Sequence, residues 1–173
     1  DAKGLLKTAI RDPDPVIFLE NEVLYGQSFE CPKDNEFTIP IGKAKIEREG
    51  NDVTIIAFSI MVGKSLEAAD LLEKEGINVE VINLRTLRPL DIETIVESLK
   101  KTNKMVTCEE GFGFSGIGSE IVASVQEKAF DWLDAPILRV TGKDVPMPYA
   151  ANLEKLAIPQ VEDIVDKVKS ICN

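Results

Sequence analysis

The sequence predicts an α/β fold, a three-layer α/β/α sandwich built around a mostly parallel sheet. Two observations support this prediction. Four short apolar or β-branched runs have the length of strands, and each is followed by a run with helical periodicity. Strands that alternate with helices in this way favour parallel pairing, with helices on both faces of the sheet.

The strands and helices follow one another regularly from residue 53 onward. The predicted strands are residues 53–58, 79–84, 105–108 and 137–140. The first helix, residues 62–75, ends before Gly76, a typical C-terminal cap, and the second begins after Asp91, a good N-cap. The other two helices are predicted by apolar stripes at Ile117, Ile121, Val122 and Val125, and at Val161, Ile164, Val165 and Val168.

The region before these strands is organised differently. Residues 41–46 alternate apolar with polar side chains and lead into a turn-rich stretch, which predicts an antiparallel edge strand in a hairpin with the next strand. Upstream we predict a helix around Leu5, a strand at residues 16–19 and a segment punctuated by Pro and Gly. We therefore expect residues 1–38 to be the tail of a preceding domain plus a linker, and residues 39–173 to form the α/β domain.

Composition excludes several classes of function. Thirty acidic and 20 basic residues give a net charge of −10, which repels a polyanion, so we expect neither nucleic acid nor an anionic membrane surface as a partner. No apolar run approaches the length of a membrane span, and we expect a soluble protein. The three cysteines are widely spaced and indicate neither a disulfide framework nor a zinc site.

The chain contains no histidine, the commonest general base at neutral pH. Acid–base chemistry would therefore need carboxylates, Lys, Tyr or Cys, and no nucleophile can be placed beside a histidine base. No cluster of side chains has the spacing of metal ligands. The sequence shows no active site in this segment, and we predict no catalytic, cofactor-binding or metal-binding residue.

Gly111, Gly113 and Gly116 match the G-x-G-x-x-G spacing of a dinucleotide-binding loop. That interpretation requires an acidic residue at the end of the next strand, and none lies at the right distance. Glu109 and Glu110 stand immediately before the loop, where they would repel a pyrophosphate. We therefore interpret the glycines as allowing a tight turn and close packing of helix on sheet, and the two glutamates as an N-cap or a subunit contact.

Two other segments have the character of contact surfaces. In residues 144–149 two prolines enforce an extended path, with Met147 and Tyr149 among the exposed candidates. The alternative is a rigid connection between the last strand and the last helix. Trp132 is either a core or an interface residue, and the neighbouring Asp131 and Asp134 indicate that its edge lies near water.

Several long segments carry a resemblance to a known family. They are DAKGLLKTAIRDPDPVIFLENEVLYG, IPIGKAKIEREG, INLRTLRPLD, KTNKMVTCEEG with GIGSEI, LDAPILRVTGKDVPMPYA and NLEKLAIPQ. Over nearly its whole length the chain resembles the C-terminal half of the beta subunit of the thiamine-dependent decarboxylating component of pyruvate dehydrogenase. The segment VTGKDVPMPYA resembles the pyruvate version rather than the branched-chain version, whereas FSIMVGKS lacks an Arg-Pro pair often found there.

The resemblance implies a fold and a function. Residues 1–38 would be the tail of a pyrimidine-binding domain, and residues 39–173 a transketolase C-terminal domain with a mostly parallel five-stranded sheet and one antiparallel edge strand. The complete enzyme would be an alpha–beta heterotetramer that binds thiamine diphosphate and magnesium between alpha and beta subunits. It would decarboxylate pyruvate and reductively acetylate a lipoyl group on the acyltransferase core, in bacterial cytoplasm or in the mitochondrial matrix.

By the same resemblance this segment serves assembly and docking and is inactive alone. Its partners would be the alpha subunit, a second beta subunit and the subunit-binding domain of dihydrolipoyl acetyltransferase. Asp134, in the LDAP motif, would pair with a basic residue of that domain, and Asn173 would lie near the same surface. The catalytic glutamate and histidine of the family lie upstream of Asp1, so the segment alone would bind neither thiamine diphosphate nor magnesium. Two alternatives remain, a branched-chain oxo-acid or acetoin-type relative, and a free-standing nucleotide-binding domain.

Overall fold

The computed structural model describes residues 1–172, and its centre is a five-stranded sheet. The spatial order of the strands is β1-β3-β2-β4-β5. Strand β2 pairs in parallel with both β3 and β4, β4 pairs in parallel with β5, and β1 pairs antiparallel with β3 at the edge. The strands are β1 (Lys45–Arg48), β2 (Val53–Ala57), β3 (Val79–Asn83), β4 (Met105–Phe112) and β5 (Leu138–Gly142). The predicted fold class is confirmed.

Helices cover both faces of the sheet. The helices are α1 (Ala2–Arg11), α2 (Ile60–Glu73), α3 (Ile92–Thr102), α4 (Ile117–Ala129), α5 (Ala151–Ala157) and α6 (Val161–Cys172). Helices α2 and α6 share one apolar core with the sheet, and α3 and α4 share the other. Because β2 is completely buried and flanked by strands on both sides, its five residues are all apolar or β-branched.

The predicted helix ends agree with the structure. The Asp91 side chain accepts hydrogen bonds from the amide of Thr94 at 3.3 Å and from its hydroxyl at 2.8 Å, as expected of an N-cap. After α2, Gly76 has a φ of +86°, and the Ile77 amide donates to the Leu72 carbonyl at 3.0 Å. This is the pattern of a glycine-terminated helix.

Two predicted features are wrong, and one helix was not predicted. The antiparallel edge strand exists, but it spans Lys45–Arg48 rather than residues 41–46. It pairs with β3 rather than forming a hairpin with β2, because β2 is already paired with β3 on one side and β4 on the other. Residues 16–19 form no strand, since no neighbouring strand within residues 1–172 pairs with them. The short helix α5, in the connection after β5, was not predicted.

A buried polar network fastens α3 to the sheet. Glu80 is fully buried, and its carboxylate accepts hydrogen bonds from the Ser98 hydroxyl and the Lys101 ammonium. The Thr54 hydroxyl lies 2.6 Å from that of Ser98 and 2.7 Å from that of Thr102. Because each of these polar groups has a partner, burying them carries little penalty and fixes how α3 sits on the sheet.

Helix α1 packs against the residues that enter the α/β domain. The Thr8 hydroxyl donates to the Ile39 carbonyl at 2.6 Å, and Arg11 forms an ion pair with Glu36 at 2.8 Å. Asp1 pairs with Arg85, in the loop after β3, at 2.6 Å. The N-terminal segment therefore contacts the carboxyl end of the sheet.

Candidate functional site

The glycine turn and the loop with Asp134 lie at opposite ends of the parallel strands. The glycine turn, residues 113–116, follows the end of β4, whereas the loop with Asp134, residues 130–137, precedes the start of β5. Since β4 and β5 are parallel, the end of one and the beginning of the other face opposite directions. The two places cannot contribute to a single site within this chain.

The glycine turn allows α4 to lie directly against β4. A Cβ added to Gly116 would lie 2.6 Å from Glu109 Oε2, and one added to Gly118 would lie 2.7 Å from Glu109 Oε1. Contacts this short are not tolerated between a Cβ and another heavy atom. The interpretation that the glycines serve close packing is confirmed for Gly116. It does not hold for Gly111, which lies within β4 and where an added Cβ would have no heavy atom within 4 Å.

Glu109 occupies the N-terminus of α4. Its side chain is 4% exposed and accepts a hydrogen bond from the Gly118 amide at 3.2 Å. Burial raises the pKa of this carboxyl, although the amides of Gly118 and Ile117 and the nearby Arg139 favour its charged form. A helix N-terminus is where a dinucleotide places its phosphates. Here the chain's own carboxylate uses that position, so the donors do not fit a diphosphate.

Arg139 holds the turn from the neighbouring strand. Its guanidinium donates to the Gly113 carbonyl at 2.9 Å and also to the Ser119 hydroxyl. These bonds connect β5, the turn and the first turn of α4. This role could not be inferred from the sequence, because a charged residue in an edge strand also serves simply to keep other strands from pairing there.

Glu110 binds the N-terminal segment. The side-chain amide of Asn21 donates to its two oxygens at 3.0 and 3.2 Å. Of the two roles considered for the glutamates, Glu109 serves as a cap and Glu110 as a contact, here within the same chain. Lys64 also lies close by, where burial lowers its pKa and Glu110 and Asp163 partly oppose that effect.

The loop with Asp134 is held by the end of α3. Asn103 caps this helix with a φ of +58°, and its carbonyl accepts the Asp134 amide at 2.9 Å. The Asn103 side chain donates to the Trp132 carbonyl at 2.8 Å. The Asp134 carboxylate itself is exposed and makes no hydrogen bond or ion pair with residues 1–172. The loop thus carries an unpaired carboxylate on a backbone that Asn103 holds in place.

An open groove of about 490 Å³ borders Asp134. Its floor and walls are largely apolar and include Val122, Leu133 and Pro136. Phe130, which also lines the groove, is 60% exposed, and Trp132 in the same loop is 46% exposed. The prediction that Trp132 lies near water is confirmed.

Asn173 lies outside the described residues. The last described residue, Cys172, ends α6, and burial raises the pKa of its thiol, with Lys104 and Asp52 as its charged neighbours. Lys104 immediately precedes β4, so α6 ends at the edge of the sheet where the Asp134 loop lies. Cys172 packs in one core and Leu133 in the other, so these two residues lie on different faces of the sheet.

The segment of residues 144–149 is exposed at the opposite edge. Met147 is 56% exposed and Tyr149 is fully exposed. Phe112 and Phe114, at the end of β4, are also exposed, and Phe112 pairs with Gly142 just before this segment. Such a concentration of large apolar side chains is typical of a protein interface.

The part of the chain that the structure describes contains neither a metal-binding cluster nor a helix that could span a membrane. Within residues 1–172 no three His, Cys, Asp or Glu side chains converge in a way that could hold a metal ion. None of the helices in this part is long and apolar enough to cross a membrane.

Comparison with known proteins defines the class of the protein. Residues 42–164 match the family model of the transketolase C-terminal domain, and the chain belongs to this family. A solved split-gene transketolase, described as an inactive beta4 tetramer, is 32% identical with a TM-score of 0.70, over 79% of this chain and 44% of that one. A 2-oxoglutarate:ferredoxin oxidoreductase from Magnetococcus marinus shares the fold, at 17% identity and a TM-score of 0.51 over 76% of this chain and 19% of its own.

The chain is also similar to beta subunits of the pyruvate dehydrogenase E1 component. It is 61% identical over 172 residues to the subunit of Rhizobium meliloti, covering 99% of this chain and 37% of that protein. It is 63% identical to the mitochondrial beta-1 subunit of Oryza sativa and 62% identical to the mitochondrial subunit of Pisum sativum, covering 47% and 49% of those proteins. The chain thus spans about half the length of the curated relatives it matches.

Proposed function

We propose that the chain is the C-terminal part of the beta subunit of an acetyl-transferring pyruvate dehydrogenase. The complete enzyme decarboxylates pyruvate with thiamine diphosphate and reductively acetylates lipoamide on the acyltransferase core. Support comes from the identity of about 60% to subunits of that name over nearly the whole chain. Those relatives are bacterial and mitochondrial proteins, which is consistent with a bacterial cytoplasm or a mitochondrial matrix.

In this proposal the segment serves assembly and docking, and its own residues do not hold the cofactor. Thiamine diphosphate supplies the carbanion-stabilising chemistry when it is bound in the complete enzyme. The Gly118 amide at the start of α4 already donates to Glu109, so it does not serve a diphosphate. We therefore assign the cofactor contacts and the catalytic residues to other parts of the enzyme.

Assembly would use the carboxyl edge of the sheet and residues 1–38. The exposed apolar side chains there include Phe114, Met147 and Tyr149 in the domain, and Ile17 and Leu19 in the N-terminal segment. Large apolar residues gain free energy when they are covered, and aromatic residues and methionine are enriched in interfaces. We assign these surfaces to the alpha subunit, to a second beta subunit and to the rest of a pyrimidine-binding domain.

Docking to the subunit-binding domain of dihydrolipoyl acetyltransferase would use Asp134. The observation that supports this role is an exposed, unpaired carboxylate on a loop that Asn103 holds in place. Because the backbone of this loop is already held, little backbone freedom is lost when Asp134 pairs with a basic side chain. The net charge of −10 would also steer a basic module toward the chain and raise the rate of association.

Replacing Asp134 tests the docking role. In the full-length beta subunit assembled with its alpha subunit, we expect Asp134→Ala to weaken binding of the isolated subunit-binding domain by about 2 kcal/mol or more, because a basic group of the partner loses its counter-charge. Titration calorimetry measures the affinity. Asp131→Ala, an equally exposed aspartate in the same loop, is the control and should bind as the wild type does. Equal affinities for all three proteins would refute the role.

The substrate is tested separately. Because the relatives named above are pyruvate dehydrogenase subunits, we expect the assembled enzyme to prefer pyruvate to branched-chain oxo acids and to acetoin. Steady-state rates with pyruvate, branched-chain oxo acids and acetoin show which substrate the enzyme prefers. A higher kcat/KM with a branched-chain oxo acid would reassign the substrate without changing the family.

A further inference from the structure

The groove beside Asp134 carries a further inference, which rests on the docking role proposed above. We infer that the groove receives an apolar side chain of the docked module, next to the basic group that pairs with Asp134. The groove has a volume of about 490 Å³, enough for one large side chain, and it is lined mainly by apolar residues with Asp134 among them. It therefore places an apolar contact and a charge contact side by side.

The surroundings have the composition of an interface centre. Phe130 lines the groove and is 60% exposed, and Trp132 in the same loop is 46% exposed. Aromatic anchors beside a pocket, bordered by charges, are the arrangement found where a few residues dominate binding energy. The exposed carboxylate of Asp134 borders the groove, which favours a basic partner over an acidic one.

The loop is fixed before any partner binds. Asn103 holds the backbone of both Trp132 and Asp134, and Leu133, between them, packs into the core shared by α3 and α4. The backbone that carries the groove wall and Asp134 is therefore held in place. A rigid site favours a partner that presents a basic side chain and an apolar side chain at a fixed separation, such as a small folded helical module.

Two variants separate the groove from the carboxylate. Phe130→Ala removes an exposed wall of the groove, and Gln126→Trp places a large side chain into it from the exposed face of α4. Leu71→Ala removes another exposed apolar side chain, on α2 at the other face of the sheet, and serves as the control. All are made in the full-length beta subunit assembled with its alpha subunit, and thermal unfolding verifies that each variant is folded.

Calorimetry with the isolated subunit-binding domain gives distinct signatures. We expect Phe130→Ala and Gln126→Trp each to weaken binding about tenfold, whereas Leu71→Ala leaves it unchanged. The heat-capacity change of binding should become less negative in Phe130→Ala, because less apolar surface is buried. In Asp134→Ala the salt dependence should fall instead, because a charge pair is lost.

The outcomes distinguish the two proposals. If Asp134→Ala weakens binding but both groove variants bind as the wild type does, the groove inference is wrong and the docking role stands. If neither Asp134→Ala nor the groove variants change the affinity, docking at this face is wrong altogether. If the groove variants weaken binding while Asp134→Ala does not, the groove is a docking site and the charge pair is not.

Discussion

At the scale of single residues, Glu109 occupies with its own carboxylate the helix N-terminus at which other proteins bind a phosphate. Its side chain lies under the N-terminus of α4, where it accepts the Gly118 amide. The positive end of the helix dipole favours a negative charge at that position, whereas burial disfavours one. The net result is a raised pKa, so the residue acts as a structural cap whose protonation affects stability.

Glu109→Ala should lower the free energy of unfolding by about 1–3 kcal/mol, because it leaves a buried amide of α4 without an acceptor. Urea denaturation measures the change. Glu110→Ala, which removes only the contact with Asn21, should cost less than about 1 kcal/mol. Equal losses in the two variants would contradict the capping role.

The pH dependence of the same residue has a definite sign. Since the folded pKa lies above the ordinary 4.5, the folded protein holds the proton more tightly than the unfolded chain. This contribution to stability is complete below about pH 4.5 and is lost as the pH rises through the folded pKa. The neutral variant Glu109→Gln removes that dependence, so the difference in stability between wild type and variant should change with pH only within this window.

Other residues with clear roles could not be found from the sequence. Asn103 was recognisable only as the residue after a helix, and Arg139 only as a charge within a strand. Their partners, Trp132, Asp134 and Gly113, are 26 or more residues away in the chain. Which distant groups a side chain meets depends on how the elements pack, and local patterns do not contain that information.

At the scale of elements, periodicity predicted the type of each core strand and helix. It works here because β2, β3 and β4 are buried and the helices α3 and α6 have one apolar face each. The hairpin was wrong because pairing partners are a property of the sheet. A Cβ on Gly50 would lie 2.2 Å from the backbone of Val79, which shows that the chain after β1 crosses close to the start of β3 before it enters β2.

A glycine in α4 tests the packing of helix on sheet. Alanine is the better helix former, yet Gly118→Ala should destabilise the protein, by about 1–3 kcal/mol, because its Cβ would lie 2.7 Å from Glu109 Oε1 and 2.9 Å from Thr107 Oγ1. Thermal unfolding measures the change. The control is Gly63→Ala in α2, where no heavy atom lies within 4 Å, and this variant should gain up to about 1 kcal/mol. A gain in both variants would show that the turn tolerates a side chain.

At the scale of the whole molecule, the N-terminal segment exposes large apolar side chains and has a strand-like stretch without a partner strand within residues 1–172. Residues 16–19 have the sequence pattern of a strand, but no strand within residues 1–172 pairs with them. Ile17 and Leu19 are 87% and 83% exposed. A β-type sequence with exposed apolar side chains is stabilised by joining a sheet. This supports the proposal that residues 1–38 belong in part to a preceding domain.

Hydrogen exchange tests that proposal. In the full-length beta subunit assembled with its alpha subunit, the amides of residues 16–19 should exchange slowly, because strand pairing protects them. In the segment of residues 1–173 they should exchange much faster than the amides of residues 54–57 in β2, which are paired on both sides. Equally fast exchange of residues 16–19 in both proteins would show that they join no sheet.

The sequence by itself determined the fold class, the order of the core strands and helices along the chain, the caps at Asp91 and Gly76, and the family. These follow from local patterns of burial and from long matching segments. Only the tertiary structure decided that β1 pairs with β3, that Glu109 fills the start of α4, and that Asn103 and a groove accompany Asp134. The physical reason is that these features join groups distant in the chain, whose meeting depends on how the layers pack.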